Sequence, residues 1–194
     1  EIGWCDWSSD VCSSDLDGAI CGSRSVADDL GQWIRNKKEY NQNHSRHFYI
    51  CWSHHGADLS NSASSKGIPV DSDFILNTLH SRLSFLMVGT IEPRKGHLQV
   101  IKAFDKLWQE NVDINLVIVG HEGWKDLPDN MRRNIPQTLE YIHTHTENGS
   151  RLFLLKGISD EYLEKVYDSS ICLIAASYGE GFGLPLIEAA QHGW

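Results

Sequence analysis

The sequence predicts an α/β fold, a doubly wound parallel sheet wrapped by helices, and three observations carry that prediction. From Phe85 onward, short apolar runs alternate with stretches of helical period, the rhythm of strands joined by crossover helices. The apolar runs are continuous rather than alternating, as strands buried on both faces require. Glycine closes three of them, at Gly89, Gly120 and Gly157, where a chain leaving a strand turns.

The elements follow in order. Residues 17–53 hold a small piece of the same pattern: Gly18 to Cys21 as a strand, Ser25 to Ile34 as a helix, Phe48 to Trp52 as a second strand. Residues 54–83 carry Gly, Ser, Asn and Pro with few apolar side chains, and they read as an interdomain linker. Phe85 to Gly89 is a buried strand, after which Leu98, Ile101, Phe104 and Trp108 fall on one helical face. Ile114 to Val119 is the next strand. A loop with Gly123, Trp124 and Pro128 leads into a helical stretch through Tyr141 and Ile142, which Pro136 is expected to break or kink.

Arg151 to Leu155 reads as a third strand, and Asp160 as the N-cap of a helix carrying Leu163, Val166 and Tyr167. Ile171 to Ala175 is the fourth. The loop Ser177 to Gly183 then opens a helix with Pro185 in its first turn and Ile187, Glu188 and Ala190 beyond.

Residues 1–16, EIGWCDWSSDVCSSDL, contain a near-repeat and no structural period. They resemble the conceptual translation of a sequencing adapter and are expected to be non-native. No apolar run approaches the roughly 18 residues of a membrane-spanning helix, and the first residues show no basic n-region leading into an apolar h-region, so secretion by a signal of its own is not expected. A net charge of -9 without a Lys/Arg-rich run argues against a nucleic-acid partner. Five cysteines with no C-x-x-C pair suggest neither a disulfide framework nor a zinc ribbon, so a reducing, cytoplasmic compartment is expected. Of the ten histidines, neither His54-His55 nor His143-x-His145 has metalloenzyme spacing, and both pairs read as surface or linker residues.

Ligands of an open parallel sheet bind beyond the carboxyl ends of its strands, and two such loops are unusual. The first, Gly89-Thr90-Ile91-Glu92-Pro93-Arg94-Lys95-Gly96, presents adjacent cations able to hold a diphosphate. In the second, Gly181, Phe182, Gly183 and Leu184 lead into a helix N-terminus, an anion site by its free N–H groups. Glu180 and Glu188, eight residues apart, flank this turn, and carboxylates suit sugar hydroxyls rather than phosphates. Taken singly, each of these charges is also what a solvated loop or helix surface carries.

The runs FLMVGTIEPRKGH, LVIVGHEGW, KGISDEYLEKVY and SYGEGFGLPLIEAAQHG, in that order, resemble the C-terminal domain of the large retaining GT-B glycosyltransferase family with an E-x7-E element. That family includes bacterial mannosyl- and rhamnosyltransferases of surface-polysaccharide assembly. The resemblance covers most of residues 85–194. The stretches DGAICGSRSVADDL and SHHGADL are similar, with lower specificity, to the end of the family's N-terminal domain and its linker. It implies that 17–53 ends an acceptor-side Rossmann-like domain and that 84–194 is an incomplete nucleotide-sugar-binding domain of the same kind. The chain is expected to be a fragment cut at both ends and inactive alone.

The resemblance also implies roles. Arg94 and Lys95 would hold the donor diphosphate, beside Gly89, Thr90 and Gly120. Gly181 to Leu184 would offer N–H groups to phosphate or sugar, and Glu180 would contact the transferred sugar. Glu188 would bind the ribose hydroxyls, and the backbone near Ile158 the base. Glu180, Arg94 and Lys95 form the catalytic set. The implied reaction moves a hexosyl or deoxyhexosyl group, with retention, from a nucleotide-diphosphate sugar to a glycan or lipid-linked acceptor. Neither cofactor nor metal is expected. The N-terminal domain would associate peripherally with the inner face of the membrane. Two alternatives stand beside this: a nucleotide-sugar epimerase of GT-B shape, and a non-catalytic Rossmann-like nucleotide-binding module.

Overall fold

The computed structural model describes residues 17–36, 48–56, 67–70 and 72–194. Residues 1–16, read above as adapter-derived, lie outside the described residues. The chain divides into two compact units, Glu1–Gly56 and Ala57–Trp194.

In the first unit β1 (Gly18–Cys21) and β2 (Tyr49–Trp52) pair in parallel, Gly18 opposite Tyr49. Parallel strands need a crossover, and α1 (Arg24–Asn36) lies between them in sequence. Cys21 and Ala27 are buried, whereas Ile20 and Tyr49 are 81% and 67% exposed. One βαβ element has too little mass to cover both faces of its strands.

The second unit is built on a four-stranded sheet in the order β5-β4-β3-β6. The strands are β3 (Leu83–Val88), β4 (Ile114–Val119), β5 (Leu152–Leu155) and β6 (Cys172–Leu173), every pair parallel. The helices are α2 (Ser72–Ser81), α3 (His97–Gln109), α4 (Ile135–Thr144), α5 (Asp160–Asp168) and α6 (Leu184–Gln191). Every residue of β4 is buried, so its side chains feed two cores in alternation. Leu116 and Ile118 pack with Phe104, Trp108 and Ile142 of α3 and α4. Val117 and Val119 pack with Leu79, Val166, Tyr167 and Ala189 of α2, α5 and α6. Helices on both faces make the sheet doubly wound, as predicted. Ile118 is wholly buried, and truncation to Ala at such a site costs about 2–5 kcal/mol.

Four local expectations are corrected. Ser72–Ser81, read as part of the linker, is a helix: Leu79 is fully buried, and Asn115 donates its amide to the Thr78 carbonyl at 3.1 Å. Pro136 neither breaks nor kinks α4 but sits in its first turn, where its missing N–H has no intrahelical partner to lose. The N-cap of α5 is Ser159 rather than Asp160; its hydroxyl accepts from the Tyr162 N–H at 3.2 Å. Strand β6 spans only Cys172 and Leu173, because only Phe85 and Leu86 of β3 pair with it. No helix among the described residues is long and apolar enough to cross a membrane.

Candidate functional site

The segments leaving β3, β4 and β6 meet at the carboxyl edge of the sheet. After β3, Gly89 and Thr90 lead to Ile91, 1% exposed, and Pro93–Lys95 forms one 3-10 turn. Gly96 ends that turn at φ 72 and begins α3. A Cβ there would stand 2.6 Å from the Ala176 carbonyl oxygen, so glycine is required by both conformation and space. Gly120, after β4, is constrained by space alone, since its Cβ would stand 2.0 Å from the Gly89 carbonyl oxygen.

Main-chain bonds join the three segments. The Ile91 N–H donates to the His121 carbonyl at 2.8 Å and Gly123 N–H to the Ile91 carbonyl at 3.2 Å. The Tyr178 N–H donates to the Arg94 carbonyl at 2.8 Å.

This stitching brings Arg94, Lys95 and Glu180 together. Lys95 Nζ stands 2.5 Å from Glu180 Oε1, and Arg94 Nη1 is 3.1 Å from Oε2. Arg94 also pairs with Glu92 at 3.2 Å and donates to the Gly179 carbonyl at 3.2 Å. The Ser177 hydroxyl donates to Glu180 Oε1 at 2.6 Å. Burial pushes the Glu180 carboxyl up, but the hydrogen bonds from Lys95, Ser177 and Arg94 outweigh it and hold the group below its ordinary range. Each carboxylate oxygen therefore occupies one of the two cations predicted to hold a diphosphate.

Gly183, at φ 79, is the N-cap of α6, with Pro185 in the first turn. The N–H groups of this helix start have no intrahelical acceptors and point positive potential outward. About one turn further, Glu188 Oε2 accepts from the Tyr167 hydroxyl at 2.8 Å. Ile158 stands apart from this cluster, since it follows β5, the edge strand opposite β6. Its side chain packs on the α5–α6 core.

A cavity of about 30 Å³, with Lys95, His97, Glu180 and Gly183 in its lining, holds little more than one water. A larger ligand must take the open side of the Glu180 pairs or displace them.

Three residues that matter here were not singled out from sequence. His97 is 3% exposed and its Nδ1 has no partner among the described residues. Burial, then the neighbouring Lys95, lowers it to about 4, so the imidazole stays neutral beneath the cations. Tyr167 looked like one more apolar helix position. Ser177 looked like loop. The one available signal was His97 directly after the Lys95-Gly96 step, a polar residue opening an amphipathic helix.

Among the other histidines, His145 is corrected from a surface residue. It is half-buried with Nε2 at 2.8 Å from Asp105 Oδ1, and Asp105 also accepts from the Tyr141 hydroxyl at 2.5 Å. Among the described residues no group of three or more His, Cys, Asp or Glu side chains is placed to hold a metal ion.

The family described as "Glycosyl transferases group 1" matches residues 71–194. The chain is similar to the serotype-specific mannosyltransferase WbdA of Escherichia coli, with 43% identity over 175 residues, 90% of this chain and 20% of that protein. It therefore spans about a fifth of the length of this relative. Two solved structures share its fold. The structure described as trehalose-6-phosphate from E. coli bound with UDP-2-fluoro glucose has TM-score 0.62 at 15% identity, covering 91% of this chain and 43% of its own. An alpha,alpha-trehalose-phosphate synthase (UDP-forming) from Burkholderia xenovorans, in complex with glucose-6-phosphate, has TM-score 0.57 at 15% identity, covering 79% and 39%.

Proposed function

We propose that this chain, which belongs to the glycosyl transferases group 1 family, is the donor-binding part of a transferase that moves a hexosyl group from a nucleoside diphosphate sugar to a glycan or lipid-linked acceptor. The observation that carries this reading is the convergence of Arg94 and Lys95 on one carboxylate, Glu180, at the strand ends, with Gly183 of the α6 start lining the same small cavity. Two cations and a helix N-terminus suit a diphosphate. A carboxylate among them suits the sugar hydroxyls carried by that diphosphate. Mannosyl transfer is favoured because the relative quoted above is a mannosyltransferase, and its serotype-specific description supports a role in surface polysaccharide.

In this reading the bond between the anomeric carbon and the diphosphate oxygen breaks, and its electron pair stays on the diphosphate. Arg94, Lys95 and the helix start stabilise that charge as it grows. The acceptor hydroxyl attacks from the face the diphosphate leaves, so configuration is retained, and its proton passes to the departing phosphate oxygen. The positive charge for this step comes from side chains and backbone, so the reaction runs without an added divalent ion.

The test is to incubate the full-length protein with nucleoside diphosphate sugars and a lipid-linked oligosaccharide in EDTA, following nucleoside diphosphate release and acceptor mass. A gain of one hexose per nucleotide released is expected. Recovery of an isomerised nucleotide sugar with no change in the acceptor would favour the epimerase alternative instead.

A further inference from the structure

We propose that Tyr167 is a positioning residue for nucleotide recognition: its hydroxyl fixes one oxygen of Glu188 so that the other is presented to the hydroxyl pair of a ribose. This rests on the reading that Glu188 belongs to the donor site. The Tyr167 hydroxyl donates to Glu188 Oε2 at 2.8 Å, and among the described residues Oε1 has no protein partner. One oxygen is thus committed and one is left for a ligand, which is the division that an oriented carboxylate needs.

Tyr167 cannot follow Glu188 if the carboxylate moves. Its side chain is 0% exposed and packs in the core with Val166, Phe153 and Ala189. The ring lies parallel to that of His192, 4.9 Å between centroids with an interplanar angle of 6°. His192 is in turn held by Asp168, its Nδ1 2.8 Å from Oδ1. Ala189, next to Glu188, is 5% exposed in the same core, so the backbone that carries the glutamate is anchored as firmly as the phenol that orients it.

A merely structural residue would not need the hydroxyl. Phenylalanine would fill the same space, whereas a buried hydroxyl requires an acceptor, and the acceptor here is the second glutamate of the E-x7-E element. Burial, then the bond to Glu188, pushes the Tyr167 hydroxyl well above its ordinary value, so it remains a donor at every pH at which the protein works.

The experiment is a double-mutant cycle on the chain by calorimetry, with GDP, UDP, ADP and inorganic pyrophosphate as probes. For the nucleotide that binds the unmodified chain most tightly, Tyr167→Phe should weaken binding about tenfold, the loss of about one hydrogen bond to a charged group. Pyrophosphate, which lacks a ribose, should change less than about twofold. Glu188→Gln should weaken nucleotide at least as much, and the double variant should be no worse than Glu188→Gln alone, because the phenol acts only through that carboxylate.

Losses that add, or an equal loss for pyrophosphate, would mean that Tyr167→Phe merely loosens the core, and the proposal would fall. An active Glu188→Gln effect beside an inert Tyr167→Phe overturns the positioning role alone. An inert Glu188→Gln, or an unmodified chain that binds none of the nucleotides, overturns the donor-site reading and this role with it.

Discussion

Glu180 and Glu188 share one loop-and-helix segment, yet they are held by opposite means. Glu180 leans on two cations and a serine hydroxyl with its side chain 31% exposed. Glu188 leans on one neutral hydroxyl that rises from the core. An ionic clamp at a partly wet surface can be opened by a competing anion, by salt or by protonation. A hydroxyl donor anchored in packed apolar residues carries no charge for salt or a competing anion to screen. Under the proposed donor-site reading, the difference gives the first glutamate a mobile task and the second a fixed one: Glu180 would release its cations to a diphosphate, and Glu188 would already be in place.

The largest expected effect tests the clamp itself. Replacing Arg94 and Lys95 together by Ala removes two charge-assisted contacts, each worth about 1.5–3 kcal/mol to an anion. Calorimetry should then find pyrophosphate affinity lower by at least about 100-fold, with free nucleoside binding little changed. Equal losses for both ligands would erase the distinction between the two halves of the site.

A second effect of nearly that size lies beneath the clamp. His97 is lowered from 6.5 to about 4 in the folded chain, so the unfolded chain binds its proton first as pH falls. Stability is fully present above pH 6.5 and declines between there and about 4, by about 3 kcal/mol over the window. Urea denaturation across this range should show that slope, and His97→Asn should flatten it. The surroundings of Glu188 contribute no such slope through Tyr167, whose hydroxyl stays protonated throughout. A slope that survives in His97→Asn would assign the pH response elsewhere.

The smallest effect has the least expected sign. Glu180→Gln deletes a carboxylate that competes for Arg94 and Lys95, so bare pyrophosphate should bind about fivefold more tightly, about 1 kcal/mol after allowance for solvent screening. The gain should vanish near 1 M salt. Weaker pyrophosphate binding in Glu180→Gln would mean that the glutamate organises the cations rather than occupying them.

These contrasts were only partly legible in the sequence. Strand β4 was read to the residue, because Ile114 to Val119 is an unbroken apolar run buried on both faces. The positions of Arg94, Lys95, Glu180 and Glu188 followed from the rule that strand carboxyl ends hold ligands. Their pairing did not, since it depends on β6 lying beside β3, a neighbour choice that no local pattern encodes. Helix α2 was hidden by its polar residues. Ile75, Leu76 and Leu79 carry a helical face, but the Gly-, Ser- and Pro-rich stretch before them suggested that the loop continued. Tyr167 was visible only as an apolar position, because the partner of its hydroxyl lies 21 residues away in sequence.

The bonds that hold the three ligand-side segments together are main-chain bonds: Ile91 to His121, Gly123 to Ile91, Tyr178 to Arg94. None of them depends on which side chain is present at those positions. Outside the glycines that permit the close approach and the buried Ile91, a substitution of an exposed side chain leaves these bonds in place. A change of side chain in these segments can thus alter what the strand ends present without altering the architecture that presents it.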